Sequence, residues 1–202
     1  MHLLDESSDI GSNKMGKIIS TTVQFICIFL MAILTLPNVV EADDDEVRKY
    51  DLIVRAEITI EAPASSVWPF LFKTKEWKSS IGKLERVAGE SNKEGETLRV
   101  IPEGARESQG YYIKYVRVVD NRQLVIKIFN IPDDGTLGYS DFSLFESQGR
   151  THMIYDVYVE YRLTDMTEEE VQQFGEQAYE ATKSKLESEN QKLKELVEST
   201  HL

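Results

Sequence analysis

Few side chains in this 202-residue chain combine the types and the spacing that catalysis requires. His152, Asp156 and Glu160 recur at even spacing along one segment, and a histidine beside carboxylates can act as a general base. Even spacing places all three on one face of a strand, and we interpret that face as solvent-exposed rather than as part of a pocket. The sequence lacks a recognisable hydrolase triad, a phosphate-binding glycine loop and a metal-ligand cluster. It therefore predicts no catalytic residue, no bound metal and no cofactor.

The amino-acid composition limits the kinds of molecule that this protein can bind and the chemistry that it can perform. The chain carries a net charge of −12, and an acidic surface repels phosphate backbones, so we expect no nucleic-acid partner. The single cysteine, Cys27, lies in the N-terminal segment described next. Disulfide frameworks and thiolate catalysis are therefore excluded for the folded part.

The N-terminal segment, residues 1–42, has the features of a secretory signal. Residues 18–40 carry no charge, Lys14 and Lys17 precede them, and a small-residue cleavage pattern ends at Ala42. Cleavage after Ala42 would release an exported protein. We therefore predict a periplasmic or secreted location.

Other interpretations of this leader stay open. Residues 18–40 are long enough to cross a bilayer, so an uncleaved leader would anchor the protein, and we expect membrane contact only in that case. A start at Met15 would give a leader of ordinary length. An acidic linker, residues 43–50, then leads to the folded domain, residues 51–199.

The folded part reads as strands followed by one long helix. Leu52–Ile60 alternates between apolar and polar residues, as a half-buried strand does. Six further strand-like runs follow between Lys83 and Leu163, separated by turn residues, which indicates an antiparallel meander. Thr167 is a helix N-cap, and the helix it begins is roughly 30 residues and about 45 Å long. The predicted fold class is α+β, a curved antiparallel sheet of about seven strands around a long C-terminal helix.

Two short helices are predicted between the first two strands. The stretch AEITIEAPASSVWPFL passes from a strand into a helix, and TKEWKSSI is a second helical or turn segment. If the first helix begins at Pro63, Pro69 lies in its interior at a cost of about 3 kcal/mol. If Ser65 is the N-cap, Pro69 takes the fourth helical position and removes only an early hydrogen bond. We prefer the second interpretation, which makes the helix short.

This order of elements resembles the START-like (SRPBCC) superfamily, the helix-grip fold of lipid-transfer domains, birch-pollen-allergen-like proteins and polyketide cyclases. The resemblance is carried by ITIEAPASSVWPFL, with Val67, Trp68 and Leu71, then by Trp77 and by the C-terminal helix. It covers about residues 50–198. It implies a cavity between the curved sheet and the long helix, and a hydrophobic or lipid-like small molecule as the ligand.

The helix sequence supports a cavity independently. Phe174 and Leu186 are bulky, and the residues between them on the inward side are small: Gly175, Ala178, Ala181 and Thr182. Small residues that face a sheet leave space, although they could also pack closely against large strand side chains such as Tyr155. An empty cavity of about 300 Å³ would cost on the order of 7 kcal/mol. Water, a ligand or partial collapse must therefore fill it.

The predicted lining comes from the inward faces of the strands and the helices. Arg99 is the candidate polar anchor for a carboxylate or carbonyl group of the ligand. The predicted ligand-binding residues are Trp68, Arg99, Tyr111, Ile113, Ile128, Phe142, Tyr155, Val157, Phe174, Ala178 and Ala181.

The favoured function is binding of a hydrophobic or amphipathic small molecule. One alternative is a polyketide cyclase- or dehydratase-like enzyme, which requires a buried ionisable pair in the cavity. Another is an envelope protein-interaction module, which requires an exposed apolar patch. The sequence does not specify an oligomeric state.

Overall fold

The computed structural model describes residues 47–130 and 136–201. The predicted leader, residues 1–42, and the start of the acidic linker lie outside the described residues. Across the described ranges, no helix has both the length and the apolar character needed to span a bilayer.

Seven antiparallel strands form one sheet, which confirms the predicted fold class. The sheet order is β1-β7-β6-β5-β4-β3-β2, so β1 and β2 are its edges. The strands are β1 (Arg48–Ile60), β2 (Ile81–Ala88), β3 (Thr97–Pro102), β4 (Tyr111–Val119), β5 (Gln123–Phe129), β6 (Thr136–Ser147) and β7 (Arg150–Leu163). Because β1 begins at Arg48, it includes residues 48–50, which the sequence assigned to the linker.

Three α-helices complete the domain. The short helices α1 (Ala64–Leu71) and α2 (Thr74–Trp77) follow β1, and α3 (Glu168–His201) follows β7. At the start of α3, the Glu170 carboxylate accepts hydrogen bonds from the Thr167 backbone N–H and hydroxyl, each 2.8 Å long. These bonds lower the pKa of Glu170. The Glu170 N–H in turn donates a 3.3 Å hydrogen bond to the Thr167 hydroxyl, which completes a capping box and confirms the predicted N-cap.

The start of α1 differs from the preferred prediction. Its N-cap is Pro63, not Ser65, and the Pro63 carbonyl accepts a hydrogen bond from the Ser66 N–H at 2.9 Å. Glu146 on β6 accepts a 2.9 Å hydrogen bond from the Ala64 N–H, which satisfies one donor at the helix start. Pro69 therefore lies inside the helix, as in the alternative interpretation. The helix is nevertheless short, because it ends at Leu71.

One face of the sheet, called the inner face here, is covered by α3. Val54 on β1, Phe142 on β6 and Met153 on β7 are fully buried on this face, together with Leu193 and Val197 of α3. Buried apolar positions alternate with exposed ones along β1, as the sequence predicts. The core therefore lies between the curved sheet and the second half of α3.

Candidate functional site

A buried lysine occupies the interior where α2 meets α3. Lys78 follows α2 directly, and its side chain is only 14% exposed. Its ammonium group donates a 2.7 Å hydrogen bond to the hydroxyl of Tyr155 on β7. The same ammonium lies 3.6 Å from the carboxylate of Glu189 on α3, whose side chain is 6% exposed. Three separate elements thus place an ammonium, a phenol and a carboxylate together.

Aromatic rings surround the Lys78 ammonium. Its nitrogen lies 4.8, 5.4 and 4.7 Å from the ring centroids of Trp77, Phe142 and Tyr155. Phe142 stacks on Tyr155 with centroids 4.1 Å apart, and the Trp77 indole N–H donates to the Phe70 carbonyl at 2.9 Å. These contacts fix the rings and stabilise the cation through its attraction to their π-faces.

Two opposing effects determine the pKa of Lys78. Burial by itself lowers the pKa of Lys78, but Tyr155 and Glu189 outweigh it, so the pKa is raised and the amine stays protonated at neutral pH. Tyr111 on β4 is coupled to the same group, and burial raises its pKa to about 12 despite the nearby ammonium. We call Lys78, Tyr111, Tyr155 and Glu189 the polar cluster. It offers one ammonium group and two phenol hydroxyls as hydrogen-bond donors.

Further buried polar atoms belong to the same two helices. Within the described residues, both amide atoms of Asn190 on α3 and the hydroxyl of Thr74 on α2 are buried without a hydrogen-bond partner. Asn190 is 1% exposed and adjoins Glu189 in sequence. Each unsatisfied buried group costs about 1–3 kcal/mol. Both α2 and α3 therefore carry buried hydrogen-bonding groups that lack a partner in the described residues.

Apolar side chains on the inner face are less buried toward the first half of α3. Five half-buried residues from β5, β7 and α3, which we call the apolar rim, are Ile128, Val159, Tyr161, Phe174 and Ala178. The rings of Tyr161 and Phe174 meet edge to face at 5.0 Å. Ile128 and Val159 lie in one row across the sheet, with Gly138 between them. This group is the apolar surface that an interior ligand would cover.

Tyr111 of the polar cluster is half-buried on β4, and it interacts electrostatically with Lys78. It lies two residues before Ile113, whose partner on β5 is Ile128 of the apolar rim. One molecule could therefore contact apolar surface at one end and hydrogen-bond donors at the other.

Ten of the eleven predicted ligand-binding residues contribute to this interior. The structure buries Trp68, Ile113, Phe142, Tyr155 and Val157, and it half-buries Tyr111, Ile128, Phe174, Ala178 and Ala181.

Arg99 is the exception. It lies between buried Leu98 and Val100 on β3, so its side chain projects from the opposite face of the sheet. There its guanidinium donates to the Glu107 carbonyl and lies 3.9 Å from the Glu85 carboxylate. The structure does not bring Arg99 to the interior, and Lys78 is the cation found there instead.

Lys78, Glu189 and Asn190 were not predicted from the sequence. The helical period does indicate that Glu189 and Asn190 are buried. They lie three and four positions after Leu186, and four and three positions before Leu193, so they fall on the buried face of α3. Lys78 carried no such signal, since a lysine after a short helix usually lies in solvent.

The predicted space at Gly175 is filled. A Cβ at this position would lie 2.3 Å from the hydroxyl oxygen of Tyr50, so close packing against a strand side chain is what occurs here. An open depression of about 520 Å³ lies beside this contact, lined by Tyr50, Gln172, Gly175, Glu176, Tyr179 and Glu180. It contains none of the predicted ligand-binding residues.

The histidine considered at the outset lies on the outer face. His152 is 3.4 Å from the Glu57 carboxylate, and both side chains are exposed. Asp156 on the same face accepts two 2.8 Å hydrogen bonds from Arg55. Within the described ranges, no group of three or more histidine, cysteine or acidic residues could hold a metal ion.

Comparisons with known proteins establish the fold alone. No family model and no curated protein matches the chain. A Staphylococcus aureus protein of unknown function, SA2116, matches with a TM-score of 0.61 and 17% identity over 77% of this chain and 98% of that one. Mesorhizobium loti MLL2253 matches with a TM-score of 0.52 and 16% identity over 74% and 99%.

A Thalictrum norcoclaurine synthase point mutant, in complex with a transition-state analogue, has a TM-score of 0.52 and 16% identity over 78% of this chain and 100% of that one. Together with the seven-stranded sheet and the long C-terminal helix, these matches define a START-like, helix-grip fold.

Proposed function

We propose that the protein is exported and that its START-like domain binds a hydrophobic or amphipathic small molecule between the curved sheet and α3. The apolar rim carries this proposal, because its apolar side chains are left half-buried, whereas Val54, Phe142 and Met153 on the same face of the sheet are fully buried. The leader sequence supports export. The solved norcoclaurine synthase complex supports the ligand class, since a small molecule is bound to a protein of this fold.

Affinity would come chiefly from the apolar rim. Removal of apolar surface from water stabilises a complex by roughly 25 cal/mol per Å². The polar cluster would set the orientation of the molecule, since binding sites combine apolar walls with a few placed polar groups.

The test is displacement of a neutral fluorescent probe, N-phenyl-1-naphthylamine, from the full-length protein. Ala178→Trp places a large side chain within the apolar rim, so we expect at least a tenfold loss of probe affinity. The matched control is Ile53→Trp, because Ile53 is 67% exposed and lies on β1 between inward-facing positions. We expect that variant to bind like the wild type. Equal binding by both variants, with unchanged melting temperatures, would contradict the proposed site.

A second candidate is an enzyme of the cyclase or dehydratase type. The buried pair Lys78–Glu189, at 3.6 Å, is the ionisable pair that this alternative requires. A protonated lysine and the Tyr155 hydroxyl could stabilise an enolate, and Glu189 could remove a proton. Turnover of an enolisable ketone that Glu189→Gln abolishes without loss of binding would favour the enzyme. Binding without turnover would favour the proposed ligand-binding function.

A further inference from the structure

We propose that the molecule bound by this domain carries a carboxylate, which binds to the Lys78 ammonium and the Tyr155 hydroxyl while its apolar part covers the apolar rim. This inference rests on the proposed binding function and adds the chemistry of the ligand's polar end.

The polar cluster contains more hydrogen-bond donors than acceptors. The Lys78 ammonium has three N–H groups, and one of them is bonded to the Tyr155 oxygen at 2.7 Å. Because the Tyr155 hydroxyl accepts that bond, its own O–H is left to donate elsewhere. Tyr111 adds another phenolic donor beside the same ammonium. Glu189 is the only acidic group in the polar cluster, so donors outnumber acceptors, and a ligand that supplies oxygen acceptors complements them.

Glu189 does not form a short ion pair with Lys78. Its carboxylate lies 3.6 Å from Lys78, beyond a short charge-assisted hydrogen bond, and 3.9 Å from Lys185. The negative charge is therefore divided between two ammonium groups. A second carboxylate could approach Lys78 more closely than Glu189 does.

The environment of the Lys78 ammonium also favours binding of a carboxylate. Rings of Trp77, Phe142 and Tyr155 pack around the ammonium, and the Lys78 side chain is only 14% exposed, which strengthens an ion pair formed there. Both amide atoms of Asn190, which follows Glu189 on α3, are also buried without a partner in the described part of the chain. Tyr111 lies on β4, beside the strand that carries Ile128, so the polar end and the apolar rim occupy neighbouring strands.

The experiment compares dodecanoic acid with methyl dodecanoate as competitors of N-phenyl-1-naphthylamine on the full-length protein. The ester is the more apolar of the two, so a preference for the acid cannot arise from hydrophobicity. We expect the wild type to bind the acid at least tenfold more tightly. Lys78→Met should weaken acid binding at least tenfold and leave ester binding within twofold. Glu189→Gln should strengthen acid binding, because it removes the competing carboxylate.

Two further variants keep the test decisive. If Lys78→Met does not fold, because Glu189 is left without its partner, the double variant Lys78→Met/Glu189→Gln removes both charges and replaces it. Lys83→Met is the matched control, since Lys83 is 50% exposed and pairs with Glu85. It should retain the wild-type preference.

The outcomes separate this inference from the function on which it rests. Equal affinity for acid and ester, or an acid preference that survives the loss of Lys78, overturns the inference and leaves the proposed function standing. Failure of both compounds and of the probe to bind contradicts the proposed function itself.

Discussion

Gly175→Ala tests the close packing at the start of α3. The added Cβ would lie 2.3 Å from the hydroxyl oxygen, 2.4 Å from Cζ and 2.7 Å from Cε2 of Tyr50. Ordinary carbon contacts are about 3.5–4.0 Å, so the ring must move by roughly 1 Å. Tyr50 also packs edge to face against Phe174, with centroids 6.1 Å apart, which limits that movement.

The magnitude follows from two opposing contributions. Overpacking costs about 1–3 kcal/mol, whereas alanine improves helix propensity over glycine by about 1 kcal/mol. We therefore expect a net loss of about 1 kcal/mol in the free energy of unfolding, measured by urea denaturation. In a Tyr50→Ala background the overpacking is absent, and the same substitution should stabilise by about 1 kcal/mol. Stabilisation of the wild type by Gly175→Ala would refute the reasoning, because it would mean that Tyr50 does not fill this space.

Three further substitutions have definite expected outcomes. Gly138→Ala should destabilise by about 3 kcal/mol in urea denaturation, because its Cβ would lie 2.2 Å from the backbone oxygen of Tyr158, and a loss below about 1 kcal/mol would contradict that contact. Trp77→Phe should cost about 1–3 kcal/mol by the same measurement, because the Phe70 carbonyl loses a 2.9 Å donor; no change would show that the bond is dispensable. Tyr111 has a pKa of about 12 in the folded protein against 10.0 as the ordinary value. The unfolded chain therefore releases that proton first, and stability falls as pH rises from about 10 toward 12. Tyr111→Phe should reduce this fall between pH 10 and pH 12, and an identical fall in both proteins would contradict the shift.

Local patterns in the sequence were sufficient to predict the elements of the fold. Strand alternation and turn residues specify the seven strands, and Thr167 specifies the start of α3. The start of α1 was misjudged because its capping group comes from a distant position. Glu146, on β6, satisfies the Ala64 N–H, and no property of the adjacent sequence reports that contact.

The candidate site was only partly predictable. Tyr155 and Phe142 were found because alternation assigns them to the inner face. Lys78 was missed because its burial depends on partners from two distant elements, β7 and α3, and sequence periodicity records neither of them. Arg99 was assigned to the interior because its charge could bind a ligand. Its neighbours on either side are buried on the inner face, so strand alternation places the Arg99 side chain on the outer face.

Native mass spectrometry of the full-length protein, purified from the host that makes it, tests the central claim most directly. The claim is that one hydrophobic or amphipathic molecule binds between the sheet and α3. We predict a wild-type mass that exceeds the polypeptide mass by one small molecule, which denaturation releases, and we predict that Ala178→Trp loses this excess. A wild-type protein with the mass of the bare chain, which also fails to bind N-phenyl-1-naphthylamine, would contradict the claim.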